Sequence, residues 1–243
     1  MVPLYELDME ERCDFFGKEI DHHPWVVFHG TSGLFELAIE TDGLKPNNSP
    51  ISSNDIAKIV GIYKTLDWQG YSSAGYDILN SFSLGYDRKY CKLPSIFLAE
   101  SSFRACLYGS KDHAGGEAAR AGRYALRDLW KYLDHEERSL SVSQRGWLKN
   151  ELIQLDSVRK RLEAIFDSHP YGLVYAIEVT EEYIESFSYD QSMGVKSSRN
   201  ILPSRLIAKL KIPPSYKHEF GTDYRRILRP LENGLIKTLE NRG

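Results

Sequence analysis

Cysteine is scarce in this chain. The three present, Cys13, Cys91 and Cys106, are odd in number and far apart, which fits a reduced cytoplasmic protein and offers no zinc-ligand spacing. No bound metal is expected. Long apolar runs are missing as well. No window approaches the run of about 18 apolar residues that a membrane span needs, so no membrane partner is expected. The opening residues, MVPLYELDMEERCDFF, hold no basic stretch followed by an apolar one, and therefore no secretory signal is read. Export by a route that needs no signal leaves no trace in a sequence and stays open. Internal repeats and low-complexity tracts are absent from the 243 residues.

Excess charge is also lacking, with a net of −3, but the distribution is uneven. Residues 1–47 carry ten acidic and three basic side chains, and residues 194–243 carry four acidic and eleven basic ones. Either the two ends pair with each other or the basic end forms a face for nucleic acid. At 42% hydrophobic and 27% charged residues, the composition is that of an ordinary folded protein.

Residues 1–23 read as a short leader with one helix, and 24–243 as one domain. WVVFH (25–29) is an apolar run of strand length bounded by Pro24 and Gly30. Thr31 or Ser32 then caps a helix through Leu34, Leu37 and Ala38, which Gly43 stops ahead of Pro46. Residues 47–93 are rich in Ser, Gly and Tyr and read as a long insertion holding a helix near 55–63. In it Tyr63, Tyr71, Tyr76, Tyr86 and Tyr90 form a lid or acceptor surface, or pack a loop.

SIFLA (95–99) is a second strand, leading into a helix with Phe103, Cys106 and Leu107. A helical segment covers about 117–168, with a seam at Leu148, Leu152, Leu155, Val158, Leu162 and Ile165 in steps of three and four. LVYAIEV (173–179) is a third strand. RLIAKLKI (205–212) is a fourth, expected at a sheet edge because alternation turns Arg205, Lys209 and Lys211 outward. Lys196, Arg199 and Arg205 either engage a pyrophosphate or a nucleic acid or are simply solvated, with solvation the default, and His22-His23 has no second ligand cluster. The fold class is α+β.

The stretch VVFHGTSGLFELAIETDGLKP (26–46) resembles the first motif of the diphtheria-toxin-like, or poly(ADP-ribose)-polymerase-like, ADP-ribosyltransferases. Those families run from an apolar strand through His-Gly-Ser/Thr and a short helix to Gly-Leu, here His29, Gly30, Thr31 and Gly43-Leu44. SIFLAESSFRACLYG (95–109) is similar to the second motif, with Phe97 and Tyr108 at its two aromatic positions. The resemblance covers about a third of the chain and leaves out 47–93 and 117–168. It implies a split antiparallel β core with flanking helices and a long insertion.

By that resemblance NAD is the co-substrate. Gly30 holds the nicotinamide carboxamide on its backbone, and His29 bonds the adenosine-side ribose as a neutral imidazole. Thr31 and Ser101 add to the cofactor site, and Tyr108 stacks on the nicotinamide ring. The reaction implied is cleavage of the bond between nicotinamide and ribose, with an acceptor attacking the oxocarbenium-like centre. The expected product is mono-ADP-ribosylation of a protein or nucleic-acid acceptor, as by a toxin or effector.

One departure stands out. The family commonly carries a Glu shortly before a run like ILPSRLI (201–207), whereas MGVKSSRN (193–200) contains no acid. Phe97 also replaces a tyrosine. His29, Phe97 and Glu100 are therefore the expected catalytic residues, Glu100 or Glu117 supplying the missing carboxylate. Two alternatives stay open: an inactive module binding NAD or ADP-ribose, and an RNA 2′-phosphotransferase. The latter resembles the chain in its His-Gly-Thr strand and Pro-led closing strand, but carries an N-terminal lobe for which 24 residues are too few.

Overall fold

Strand placement follows the apolar runs. The computed structural model describes residues 2–8, 14–46, 48–66, 74–83, 95–134, 140–190, 194–216 and 234–241. Among these residues the strands are β1 (Leu4–Glu6), β2 (Val26–Ser32), β3 (Ile96–Leu98), β4 (Gly172–Glu178), β5 (Phe187–Asp190), β6 (Gly194–Ser197) and β7 (Leu206–Ile212). They form a four-stranded sheet in the order β1-β7-β4-β2 and a three-stranded sheet in the order β3-β6-β5. Among the described residues only β1 and β7 run parallel; the other pairs are antiparallel. The helices are α1 (Lys18–Asp21), α2 (Glu36–Asp42), α3 (Ser53–Thr65), α4 (Ala74–Ser83), α5 (Ser102–Gly109), α6 (Glu117–Asp134), α7 (Val142–Gln154), α8 (Asp156–Asp167) and α9 (Gly234–Glu240). The class is mixed α and β with two sheets.

The domain read over 24–243 divides into two units with separate cores. The first comprises residues 1–48, 94–114 and 168–243 and holds both sheets. The second comprises 49–93 and 115–167 and is helical. So the two stretches outside the resemblance fold together as one body. Its core joins Ile56, Ile59 and Tyr63 of α3 to Leu126 and Leu129 of α6, Leu148 and Leu152 of α7, and Leu162 of α8. Ser52 and Asp55 make the reciprocal capping box that starts α3. Tyr63 stacks on Tyr76 and donates to the carbonyl of Ala125, so these two tyrosines pack the helical core. Tyr71, Tyr86 and Tyr90 lie outside the described residues. The seam is buried from Leu148 to Leu162 as its spacing predicts, with Ile165 half-buried, although the helix breaks at Leu155.

In the first unit β4 is buried from Gly172 to Ile177, as its apolar run requires. Two expectations are corrected here. β7 is not an edge strand, because residues read as a leader supply β1, which pairs with it. Lys209 does not face solvent either. It is 9% exposed and sits between Glu36 and Glu40 of α2, since α2 covers the face to which alternation assigns it. Gly43, at φ +80°, ends α2, and Leu44 then bridges to Ile201; that backbone conformation favours glycine.

The segment before β2 is anchored by Asp21, whose Oδ2 accepts from Phe16 N–H at 2.7 Å while Phe16 stacks on Phe28. Burial pushes the Asp21 carboxyl up to about 6, against the lowering effect of Ser102 and the Phe16 N–H. A carboxyl raised on folding favours the native state while protonated, so its contribution is complete below the unfolded value of 3.8 and fades as pH rises through about 6. Asp21→Asn is expected to flatten the fall in stability between pH 5 and pH 7, read from urea midpoints; an unchanged slope would show that Asp21 is not its source.

Candidate functional site

In β2, alternation decides which backbone groups are used. Val27, His29 and Thr31 are in register with Ile177, Tyr175 and Leu173 of β4, and Gly33 N–H donates to the Tyr171 carbonyl. The odd-numbered residues therefore turn their peptide groups toward β4, and the even-numbered ones turn theirs outward. Phe28 uses its outward pair on Ala99, N–H to carbonyl in both directions at 2.8 and 2.7 Å. That bridge is where β2 meets the strand that starts the other sheet. One step further the pairing stops. The Phe97 carbonyl takes a hydrogen bond from the His29 ring instead, Nδ1 to O at 3.0 Å. Gly30 is next along the outward edge, and among the described residues its N–H and C=O have no partner on that side.

His29 is half-buried. Burial lowers its pKa below the ordinary histidine value, against the Phe97 carbonyl, which raises it. The ring is thus neutral near pH 7. With Nδ1–H donating, Nε2 presents a lone pair and acts only as an acceptor. Tyr175 is opposite His29, and Lys209 opposite Tyr175, so the three side chains form one row across the sheet.

Gly30 has a second role. An added Cβ would fall 1.9 Å from the Ala105 carbonyl oxygen and 2.8 Å from the Gly109 nitrogen, so the missing side chain is what lets α5 lie on the sheet. The expected strand end at His29 is accordingly corrected: β2 runs on through Gly30 and Thr31 to Ser32. Ser32, not Thr31, caps the next turn, accepting from Leu34 N–H. Thr31 is buried on the His29 face.

The close packing of α5 brings Tyr108, beside Gly109 on its last turn, into the neighbourhood of Gly30. The Tyr108 ring is half-buried and stands edge-on to His113, with centroids 5.6 Å apart and planes at 82°. Ser101 caps α5, its Oγ accepting from Arg104 N–H. Phe97 enters the site through its carbonyl. Glu100 is engaged: Arg104 Nη1 reaches its two oxygens at 2.8 and 3.2 Å, and the pair is 12% and 15% exposed. Glu117 belongs to the helical unit, where it pairs with Arg120.

No known protein family, characterised protein or solved structure matches the chain.

On β6, the stretch without an acid, Lys196 faces Phe97 across the ladder and is 7% exposed. Its reading as solvated is corrected: all four residues of β6 are buried, so both faces of this strand are covered, the one carrying Lys196 included. Arg104 and His113 were not singled out by sequence. The Glu100–Arg104 spacing of four at a helix start was the one available signal. A further pair was missed: His169, buried, has Nδ1 2.9 Å from Ser32 Oγ, and burial and Lys111 lower its pKa. Among the described residues no group of three metal-ligating side chains stands together, and no helix is long and apolar enough to cross a membrane.

Proposed function

We propose that the sheet-bearing unit binds NAD along the outward edge of β2 and transfers its ADP-ribose to a macromolecular acceptor. The observation that carries this reading is the parting of β2 and β3 beyond the Phe28–Ala99 bridge, which leaves a donor and an acceptor of Gly30 side by side and unpartnered. A primary carboxamide complements such an edge: its oxygen takes the N–H, and its NH₂ gives to the C=O. His29 Nε2 accepts from a ribose hydroxyl, and the Tyr108 ring offers a face for the nicotinamide. Together with the two sheets, these features agree with the split core that the resemblance implies.

In the reaction the bond between ribose and nicotinamide breaks, nicotinamide leaves with the bonding electron pair, and an acceptor nucleophile attacks the cationic sugar carbon. The held carboxamide keeps the leaving group in place while charge develops. With Glu100 on Arg104 and Lys196 on β6, the chain is assigned a single transfer rather than chain elongation. That same pairing favours the second reading, a module that binds NAD without cleaving it.

Nicotinamide release from NAD and NAD affinity, measured on the wild type and on His29→Ala, separate these. Binding with release, both falling at least about tenfold in the variant through loss of a buried hydrogen bond, supports the transferase. Binding without release selects the module. Failure of the wild type to bind NAD sinks both.

A further inference from the structure

We propose that the face of α6 carrying Arg120, Arg123 and Arg127 binds a phosphate group. This is independent of the NAD reading and concerns the helical unit alone. The three guanidinium groups crowd one aromatic ring, with their carbons 5.3, 5.0 and 4.8 Å from the Tyr124 centroid. Their spacing of three and four places them on one side of the helix.

Arg123 is the decisive member. It is 7% exposed, and among the described residues it has no hydrogen bond and no carboxylate; its guanidinium lies on the Phe166 ring, 3.4 Å from the centroid. An aromatic face repays part of the cost of desolvating a cation but leaves the N–H donors unused. Arg120 repeats the pattern: Nη1 reaches Glu117 at 3.1 Å, while Nε is buried with no partner. Arg127 is exposed. It also lines a cleft of about 570 Å³ with Trp130, Asp134, Asp156 and Glu163. Asp156 is already held by Arg159 and Lys160, and neither Asp134 nor Glu163 comes within 4 Å of Arg127.

Three cations thus share one carboxylate among the described residues. The planar fork of arginine matches the oxygens of a phosphate, and a dianionic or diester phosphate supplies the missing charge and the missing acceptors. A phosphorylated small molecule and a nucleic-acid strand both offer this group.

The test titrates the full chain with inorganic phosphate and, separately, with a short single-stranded oligonucleotide, by calorimetry. Arg127→Gln, at an exposed side chain, and Arg123→Lys, which keeps the charge and removes the fork, are each expected to weaken binding by about fivefold or more. For the oligonucleotide, Arg127→Gln should also lower the salt slope by about one. Phosphate binding alone supports a small-molecule ligand, and much tighter oligonucleotide binding supports a strand. The proposal is overturned if neither probe binds, or if Arg127→Gln binds as the wild type does. Arg127→Gln decides the matter even if Arg123→Lys fails to fold.

Discussion

Replacing Gly30 by alanine is expected to cost about 3 kcal/mol of stability or more, at the upper end of what overpacking does. The reason is the nature of the neighbours. The new methyl group would meet the Ala105 carbonyl and the Gly109 nitrogen, both backbone atoms of α5, so no side chain can rotate out of the way. Relief requires lifting α5, and α5 also rests on β4: a Cβ on Gly172 would stand 2.0 Å from the Gly109 oxygen. Gly61 provides the control. It is exposed in α3, with nothing within 4 Å of its Cβ position, and Gly61→Ala is expected to stabilise by roughly 0.5–1 kcal/mol through helix propensity. Denaturant midpoints measure both. A Gly30→Ala chain as stable as the wild type would mean that α5 does not lie on β2 as described.

Lys209→Met is the second large effect, expected at about 2–3 kcal/mol. Breaking a buried ion pair from one side costs roughly 3–5 kcal/mol, and the two glutamates, each 26% exposed, are partly relieved by water. Lys209 Nζ lies 2.5 Å from Glu36 Oε1 and also contacts Glu40; Tyr171 donates to Glu36 at 2.5 Å. Burial alone would raise Glu36, but Lys209 and Tyr171 hold it below the ordinary value of 4.5; burial alone would lower Lys209, but the two glutamates hold it above 10.5.

The signs follow. The Glu36 contribution is present above 4.5 and is lost as pH falls through its depressed folded value. The Lys209 contribution is present below 10.5 and is lost as pH rises through its raised one. The penalty of Lys209→Met should therefore be largest in the neutral range and shrink in acid. Adding Glu36→Gln and Glu40→Gln to Lys209→Met should recover most of the loss. Urea unfolding at pH 4 and pH 7 reads all of this, and a penalty that does not depend on pH would contradict an electrostatic origin.

Much of the strand framework could be read from the chain. β2, β4 and β7 are continuous or alternating apolar runs, and such runs are buried wherever they pair. A hydroxyl cap at 31 or 32 and the stop at Gly43 were equally legible, because both act within a few residues, and the structure selects Ser32. What escaped depends on distant neighbours. Alternation assigned Lys209 correctly to the face opposite its apolar partners, but it carries no information about a helix lying on that face. Lys196 looked solvated for the same reason. His29 and Gly30 were recognisable as a motif; that the His29 ring takes the Phe97 carbonyl and so parts the two strands was not. Nor could periodicity tell that α3 and α4 share a core with α6, α7 and α8, since amphipathic faces do not name their partners.

The chain passes between the two units four times, after residues 48, 93, 114 and 167. Strand β2 is thus separated from β3, and α5 from β4, by whole excursions through the helical unit. The edge that carries Gly30 is assembled only after both excursions have closed. Loop-closure entropy grows slowly with length, so the thermodynamic burden is modest, but contacts this far apart in sequence delay folding. A chain still emerging from synthesis can complete the helical body before β4 exists, and the Gly30 edge of β2 is then among the last parts of the sheet-bearing unit to form. No single cut in the backbone releases either unit from the other, so a chain nicked once by a protease would keep the two units covalently joined.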